Sequence, residues 1–168
     1  MPLTVQMDPI ENIAIAGDSS FALMLEAQQR GHRIFHYLPR DLTYEDGGIR
    51  AEARELRVKR QEGAHFTAGE QRPLDLAKDV DVVLMRQDPP FDIAYITAAH
   101  LLERLAGQTL VVNDPRSVRD APEKLFVLDF AQFMPPTMIT RSMQDLNAFH
   151  AKHGEIVLKP LHGNAGAA

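Results

Sequence analysis

The period of the apolar positions changes along the chain, and each change marks an element. Residues 3–7 form a short apolar run that predicts a strand ending at Asp8-Pro9. Asp18-Ser19-Ser20 supplies oxygens able to cap a helix, Phe21, Met24, Leu25 and Gln28 follow at helical spacing, and Gly31 is its stop. Residues 33–38 read as a second strand, so the chain opens β-α-β, the usual beginning of a parallel sheet covered by helices. Residues 41–77 are less regular. Gly47-Gly48 marks a turn there, and 49–58 with 64–67 predict short strands of a side hairpin or meander.

Residues 80–85 are almost continuously apolar, as expected of a strand buried on both faces. The run ends at Arg86-Gln87-Asp88-Pro89-Pro90-Phe91-Asp92, where Asp92 can cap a helix over 93–105 that Gly107 ends. A further buried strand over 109–112 stops at Asn113-Asp114-Pro115. After Arg119 the pattern changes. Residues 121–130 read as helix, Phe133-Met134-Pro135-Pro136 breaks it, and 137–140 predict a strand. Ser142 caps a last helix, with Asp145 three residues on, and Gly154 ends it. Residues 156–158 then predict a buried strand closed by Lys159-Pro160. The expectation is an α/β fold with a mostly parallel sheet, divided into domains over 1–118 and 119–168.

A chain of 168 residues suffices for one packed domain and the start of another, and 45% hydrophobic with 24% charged residues is ordinary for a globular protein. With 18 basic against 23 acidic residues the net charge is −5, which offers nucleic acid no electrostatic attraction. The one basic cluster, Arg57, Lys59 and Arg60, reads as a solvated strand face. Without cysteine there is neither a disulfide framework nor a thiol nucleophile. No apolar run has the length of a membrane span, and the N-terminus lacks a basic segment followed by an apolar one, so a cytoplasmic protein is expected. The histidine pairs His32/His36 and His150/His153 do not form a metal signature, and no catalytic centre is self-contained in the chain.

Ligands of open α/β sheets bind beyond the carboxyl ends of the strands. Arg86 and Asp88 stand there directly after a buried run, where an arginine can grip a substrate carboxylate, pair with Asp88 itself or form an interdomain salt bridge. Lys124 and Lys159 can offset phosphate charge, or be surface lysines. Lys159 is the more pointed, because Gly163-Asn164-Ala165-Gly166 follows it with small residues whose backbone N–H groups can approach an anion. That loop matches neither Gly-x-x-x-x-Gly-Lys-Ser/Thr nor Gly-x-Gly-x-x-Gly, and an ordinary hairpin turn has the same composition.

Taken in order, Met7-Asp8-Pro9-Ile10-Glu11-Asn12-Ile13, Asp18-Ser19-Ser20-Phe21-Ala22, Leu84-Met85-Arg86-Gln87-Asp88-Pro89-Pro90-Phe91-Asp92, Val112-Asn113-Asp114-Pro115, Arg119-Asp120, Glu123-Lys124-Leu125 and Leu158-Lys159-Pro160-Leu161 resemble bacterial glutathione synthetase, of the ATP-grasp superfamily. The resemblance runs from end to end of the chain. It implies a Rossmann-like pre-ATP-grasp domain followed by the truncated start of an ATP-grasp domain. The chain is then expected to be the N-terminal portion of a longer enzyme and inactive alone. The implied reaction joins γ-glutamylcysteine to glycine: ATP phosphorylates the cysteinyl carboxylate and the glycine amine attacks the acyl phosphate. Lys124 and Lys159 would contact ATP phosphates, with Gly163, Asn164, Ala165 and Gly166 in the loop covering them. Ser19, Arg86 and Asp88 would face the peptide substrate. Magnesium ligands and the adenine pocket would lie in the absent C-terminal half, and the complete enzyme would be a homo-oligomer. Two positions depart from the family pattern: Ala165 stands where glycine is usual, and His162 where an acidic or aromatic residue is common. The rival readings are a non-catalytic binding or oligomerisation module that kept the pre-ATP-grasp domain, and another peptide ligase of the superfamily.

Overall fold

The computed structural model describes residues 1–161 and divides the chain into two compact units, Met1–Asp120 and Ala121–Ala168. In the first unit seven strands form one sheet: β1 (Pro2–Gln6), β2 (Arg33–Tyr37), β3 (Leu42–Glu45), β4 (Gly48–Val58), β5 (Phe66–Asp75), β6 (Val82–Met85) and β7 (Leu110–Val112). The order is β3-β4-β2-β1-β6-β7, with β5 paired to β4. β1 is central, running parallel to β2 on one side and to β6 on the other, and β7 continues the parallel set. The strands β3, β4 and β5 form an antiparallel extension, β4 joining the parallel set through β2.

Two helices cover opposite faces of this sheet, and the alternation of side chains along the strands assigns each residue to one of them. Helix α1 (Ser19–Gln29) sets Phe21 and Met24 against Val5, Met7, Ile34, Leu56 and Val58. Helix α2 (Ile93–Glu103) sets Ala99 and Leu102 against Phe35, Val83 and Met85. Both helices are capped as the sequence predicts: Asp18 accepts from the Phe21 N–H at 2.6 Å and Asp92 from the Tyr95 N–H at 2.9 Å. A short helix α3 (Pro115–Asp120) is tied back to α2 where Arg119 donates to Glu103 at 2.6 Å.

The extension is longer than the short hairpin expected over 49–58 and 64–67. β5 is 10 residues long and mostly exposed, so it carries no apolar alternation to betray it. Its hydrogen bonds to β4 define it, and Pro73 is tolerated because β5 has no partner strand on its other side among the described residues.

In the second unit the helix expected over 121–130 is divided into α4 (Glu123–Phe126) and a 3-10 turn over Val127–Phe133 with a kink at Phe130. Helix α5 (Met143–His153) begins at Ser142, whose hydroxyl accepts from the Asp145 N–H at 3.2 Å. The strands expected over 137–140 and 156–158 do not form. Both stretches lack a ladder partner among the described residues, and without one an apolar run has nothing to satisfy its backbone or cover its side chains. Val157 is accordingly 81% exposed and Leu158 63%. No side chain described in this unit is buried.

Candidate functional site

The parallel pairing of β1 with β6 brings two strand ends side by side. Gln6 stands opposite Met85, and the Arg86 N–H donates to the Gln6 carbonyl at 2.7 Å. Leu84 packs on the α1 face, so Arg86, two residues on, projects toward the same helix. Ser19 and Ser20 are the first residues of α1, immediately after its Asp18 cap. Arg86 donates from Nε to the Ser20 hydroxyl at 3.0 Å and from Nη2 to the Ser19 hydroxyl at 2.7 Å.

Among the described residues no carboxylate pairs with Arg86, so the alternative Arg86–Asp88 ion pair is not formed. Two N–H groups of the guanidinium are engaged by neutral oxygens and the rest remain available to an anion. Asp88 is held through its backbone: its N–H donates to Asp8 Oδ2 at 2.7 Å, and its exposed carboxylate has no hydrogen bond or ion pair among the described residues. Ser19 and Arg86, both named by resemblance, therefore do meet, and Asp88 follows Arg86 by two residues at the same strand end. An arginine and an aspartate at one strand end suit a ligand that carries both a carboxylate and an ammonium.

Three further groups belong here that the sequence reading missed. Ser20 is 4% exposed and supplies the more sheltered of the two hydroxyls. Tyr95 comes from the first turn of α2, its ring 5.1 Å from that of Phe91. Burial pushes its hydroxyl pKa up, Arg86 pulls it down and Asp88 pushes it up, so the ring stands within the field of both. Beneath the loop, the buried Gln6 amide donates to the buried Gln87 carbonyl oxygen and locks β1 to the segment after β6. The Asp92 cap of α2 was the sequence signal for Tyr95, since a capped first turn fixes where its residues stand. Nothing in the sequence pointed to the glutamine pair.

A concavity of about 490 Å³ lies on the α2 side and is lined by Asp8, Pro9, Leu38, Arg40, Thr97 and Leu101 among others. It includes neither Arg86 nor Ser19, so the candidate site is identified by its unbalanced charge and its hydrogen bonding rather than by its depth. Elsewhere, on β2, His36 is buried, its Nε2 3.2 Å from the Asp8 carbonyl. Burial lowers the His36 pKa, the Asp8 carbonyl opposes that, and Arg54 adds to it.

In the second unit Lys124 donates through Nζ to the carbonyl of Pro160, the residue after Lys159. Lys159 is exposed, with no hydrogen bond or ion pair among the described residues. Gly163, Asn164, Ala165 and Gly166 lie outside the described residues. No group of three or more His, Cys, Asp or Glu able to hold a metal ion occurs among the described residues, and no helix described is long and apolar enough to cross a membrane.

Comparison with known proteins matches this chain to one family. Residues 1–119 match the family model described as "Prokaryotic glutathione synthetase, N-terminal domain", and residues 123–168 the one described as "Prokaryotic glutathione synthetase, ATP-grasp domain". The glutathione synthetase of Rhodopseudomonas palustris is 56% identical over 168 residues, covering 100% of this chain and 53% of that protein. That of Bradyrhizobium diazoefficiens is 55% identical, over 99% of this chain and 52% of its own length. The Escherichia coli (strain K12) glutathione synthetase is 47% identical, again over 99% and 52%. The chain spans about half the length of the curated relatives it matches. It belongs to the prokaryotic glutathione synthetase family.

Proposed function

We propose that the chain supplies the peptide-binding side and part of the ATP-binding side of an ATP-dependent ligase that joins γ-glutamylcysteine to glycine. Residues 1–118 are read as the pre-ATP-grasp domain and 119–168 as the opening part of the ATP-grasp domain, with the complete enzyme a homo-oligomer. The observation that carries this reading is Arg86. Its guanidinium is held by two neutral hydroxyls and by no carboxylate among the described residues, at the carboxyl end of a central strand.

The chemistry asks for such a group. A carboxylate is a poor electrophile, so the γ-phosphoryl of ATP is transferred to the cysteinyl carboxylate, with ADP leaving. The glycine amine then attacks the acyl carbon, inorganic phosphate leaves, and the amine gives up a proton as the peptide bond forms. Positioning and charge neutralisation dominate such transfers. Arg86 would orient a carboxylate of the dipeptide, Asp88 its ammonium group, and Ser19 the edge of the same site. Lys124 and Lys159 would face ATP phosphates, with Gly163, Asn164, Ala165 and Gly166 close by. The described residues offer no ligand set for magnesium, so no step is assigned through the metal.

The test is Arg86→Gln in a full-length ligase whose N-terminal half is this chain. Loss of a charge-assisted grip of about 1.5–3 kcal/mol raises KM for γ-glutamylcysteine roughly ten- to a hundred-fold, with KM for ATP unchanged. An unaltered KM for the dipeptide overturns the assignment.

A further inference from the structure

β1 and the segment after β6 continue side by side beyond their last paired residues. The Arg86 N–H donates to the Gln6 carbonyl at 2.7 Å. In a parallel ladder the next bond, two residues on, would run from the Asp88 N–H to the Asp8 carbonyl. That carbonyl is occupied instead by His36 Nε2 at 3.2 Å, and the chain turns away at Pro9 with φ −53° and ψ 120°. The Asp88 N–H donates to Asp8 Oδ2 at 2.7 Å. A side-chain oxygen has replaced the main-chain acceptor, and the ladder gains one more rung through a carboxylate.

That rung is the last available. Pro89 and Pro90 have no N–H, so after Asp88 the segment offers no main-chain donor until Phe91.

We infer that Asp8 is a positioning residue for the peptide-binding side of the ligase: its carboxylate fixes where Asp88 stands and, through the shared backbone, how Arg86 is presented to the Ser19 and Ser20 hydroxyls. The inference rests on the peptide-binding reading of Arg86 and Asp88 given above. Asp8 itself touches no reacting atom in this account.

Asp8→Ala removes the acceptor, Asp8→Asn keeps an amide oxygen at the same reach without the charge, and two measurements separate the consequences. In the 168-residue chain, amide hydrogen exchange at Asp88 is expected to quicken about ten-fold or more in Asp8→Ala and by less than about three-fold in Asp8→Asn. In a full-length ligase carrying this chain, Asp8→Ala is expected to raise KM for γ-glutamylcysteine about ten-fold, with kcat and KM for ATP within about two-fold and Asp8→Asn restoring most of the loss. Unchanged exchange at Asp88 in Asp8→Ala shows that this bond does not hold the segment. Faster exchange with an unchanged KM shows that the hold does not serve peptide binding. An Asp8→Asn variant as impaired as Asp8→Ala makes charge, not the acceptor, responsible, and also overturns the inference. If Asp8→Ala fails to fold, Asp8→Glu carries the comparison: it keeps the charge and moves the acceptor by one methylene, so a positioning role requires a raised KM and an unchanged KM overturns it. Arg86→Gln in the same assay reports on the peptide-site reading alone, whereas the exchange measurement needs no substrate.

Discussion

The two hydroxyls that hold Arg86 should be worth different amounts, and the difference follows from their shelter. Ser20 is 4% exposed and its oxygen accepts from Arg86 Nε at 3.0 Å in a partly buried setting, while the Ser19 bond at 2.7 Å is exposed. A hydrogen bond to a charged group contributes about 1.5–3 kcal/mol when water cannot replace it, and less when it can. Taking about 1.5 kcal/mol for Ser20 and about 0.5 kcal/mol for Ser19, Ser20→Ala raises KM for γ-glutamylcysteine roughly ten-fold and Ser19→Ala about two-fold. Neither change weakens α1, since alanine favours helix more than serine and the Asp18 cap on the Phe21 N–H is untouched. The assay is steady-state kinetics in a full-length ligase carrying this chain, with the dipeptide varied, arranged as a double-mutant cycle against Arg86→Gln. If the serines act by orienting the guanidinium, Ser20→Ala has almost no further effect once Arg86 is glutamine. An equal loss in both backgrounds, or none in the parent, refutes the reasoning.

Other outcomes follow from single groups. Lys159→Met in the same full-length ligase is expected to raise KM for ATP roughly ten- to a hundred-fold, as for a lost charge-assisted phosphate contact. Unchanged ATP kinetics would return Lys159 to the status of a solvent-facing lysine. His36 makes the first unit acid-sensitive: burial depresses its pKa below the ordinary 6.5, so the unfolded chain binds the proton more readily. Its stabilising contribution is complete above pH 6.5 and is lost as pH falls through the depressed folded-state value. Thermal unfolding followed from pH 7 down to pH 5 should show the midpoint falling, and His36→Gln should flatten that dependence. Arg54 opposes protonation and Glu11 favours it, so Arg54→Gln should bring the folded-state value closer to the ordinary one and make the fall smaller.

The parts of the fold legible in the sequence are those set by local chemistry. The caps at Asp18, Asp92 and Ser142 were readable because each side-chain oxygen reaches an N–H only three residues on. The strands β1, β2 and β6 were readable because a central parallel sheet buries both faces and demands apolar runs, whereas β7, expected to be buried, stands last in the strand order with Leu110 61% and Val112 39% exposed. The same rule misled at 156–158, where the apolar run is real and the partner strand is not among the described residues. β5 failed in the opposite direction, as its only buried residue is Leu74 and backbone pairing alone makes it a strand.

Arg86, Asp88, Lys124 and Lys159 could be named from the sequence as charged residues beside strand ends or turns, but their partners could not. Arg86 could equally have paired with Asp88, two positions away. The parallel register of β1 and β6 places it instead against Ser19 and Ser20, at sequence separations of 67 and 66, and places Asp88 against Asp8 at 80. Composition and periodicity determined that this is an α/β chain with strand ends rich in polar groups, because burial and capping act over a few residues. Which polar group meets which depends on strand order and register, through contacts far apart in the chain, and only the tertiary structure decided that the guanidinium of Arg86 is held by two neutral hydroxyls with no carboxylate partner among the described residues.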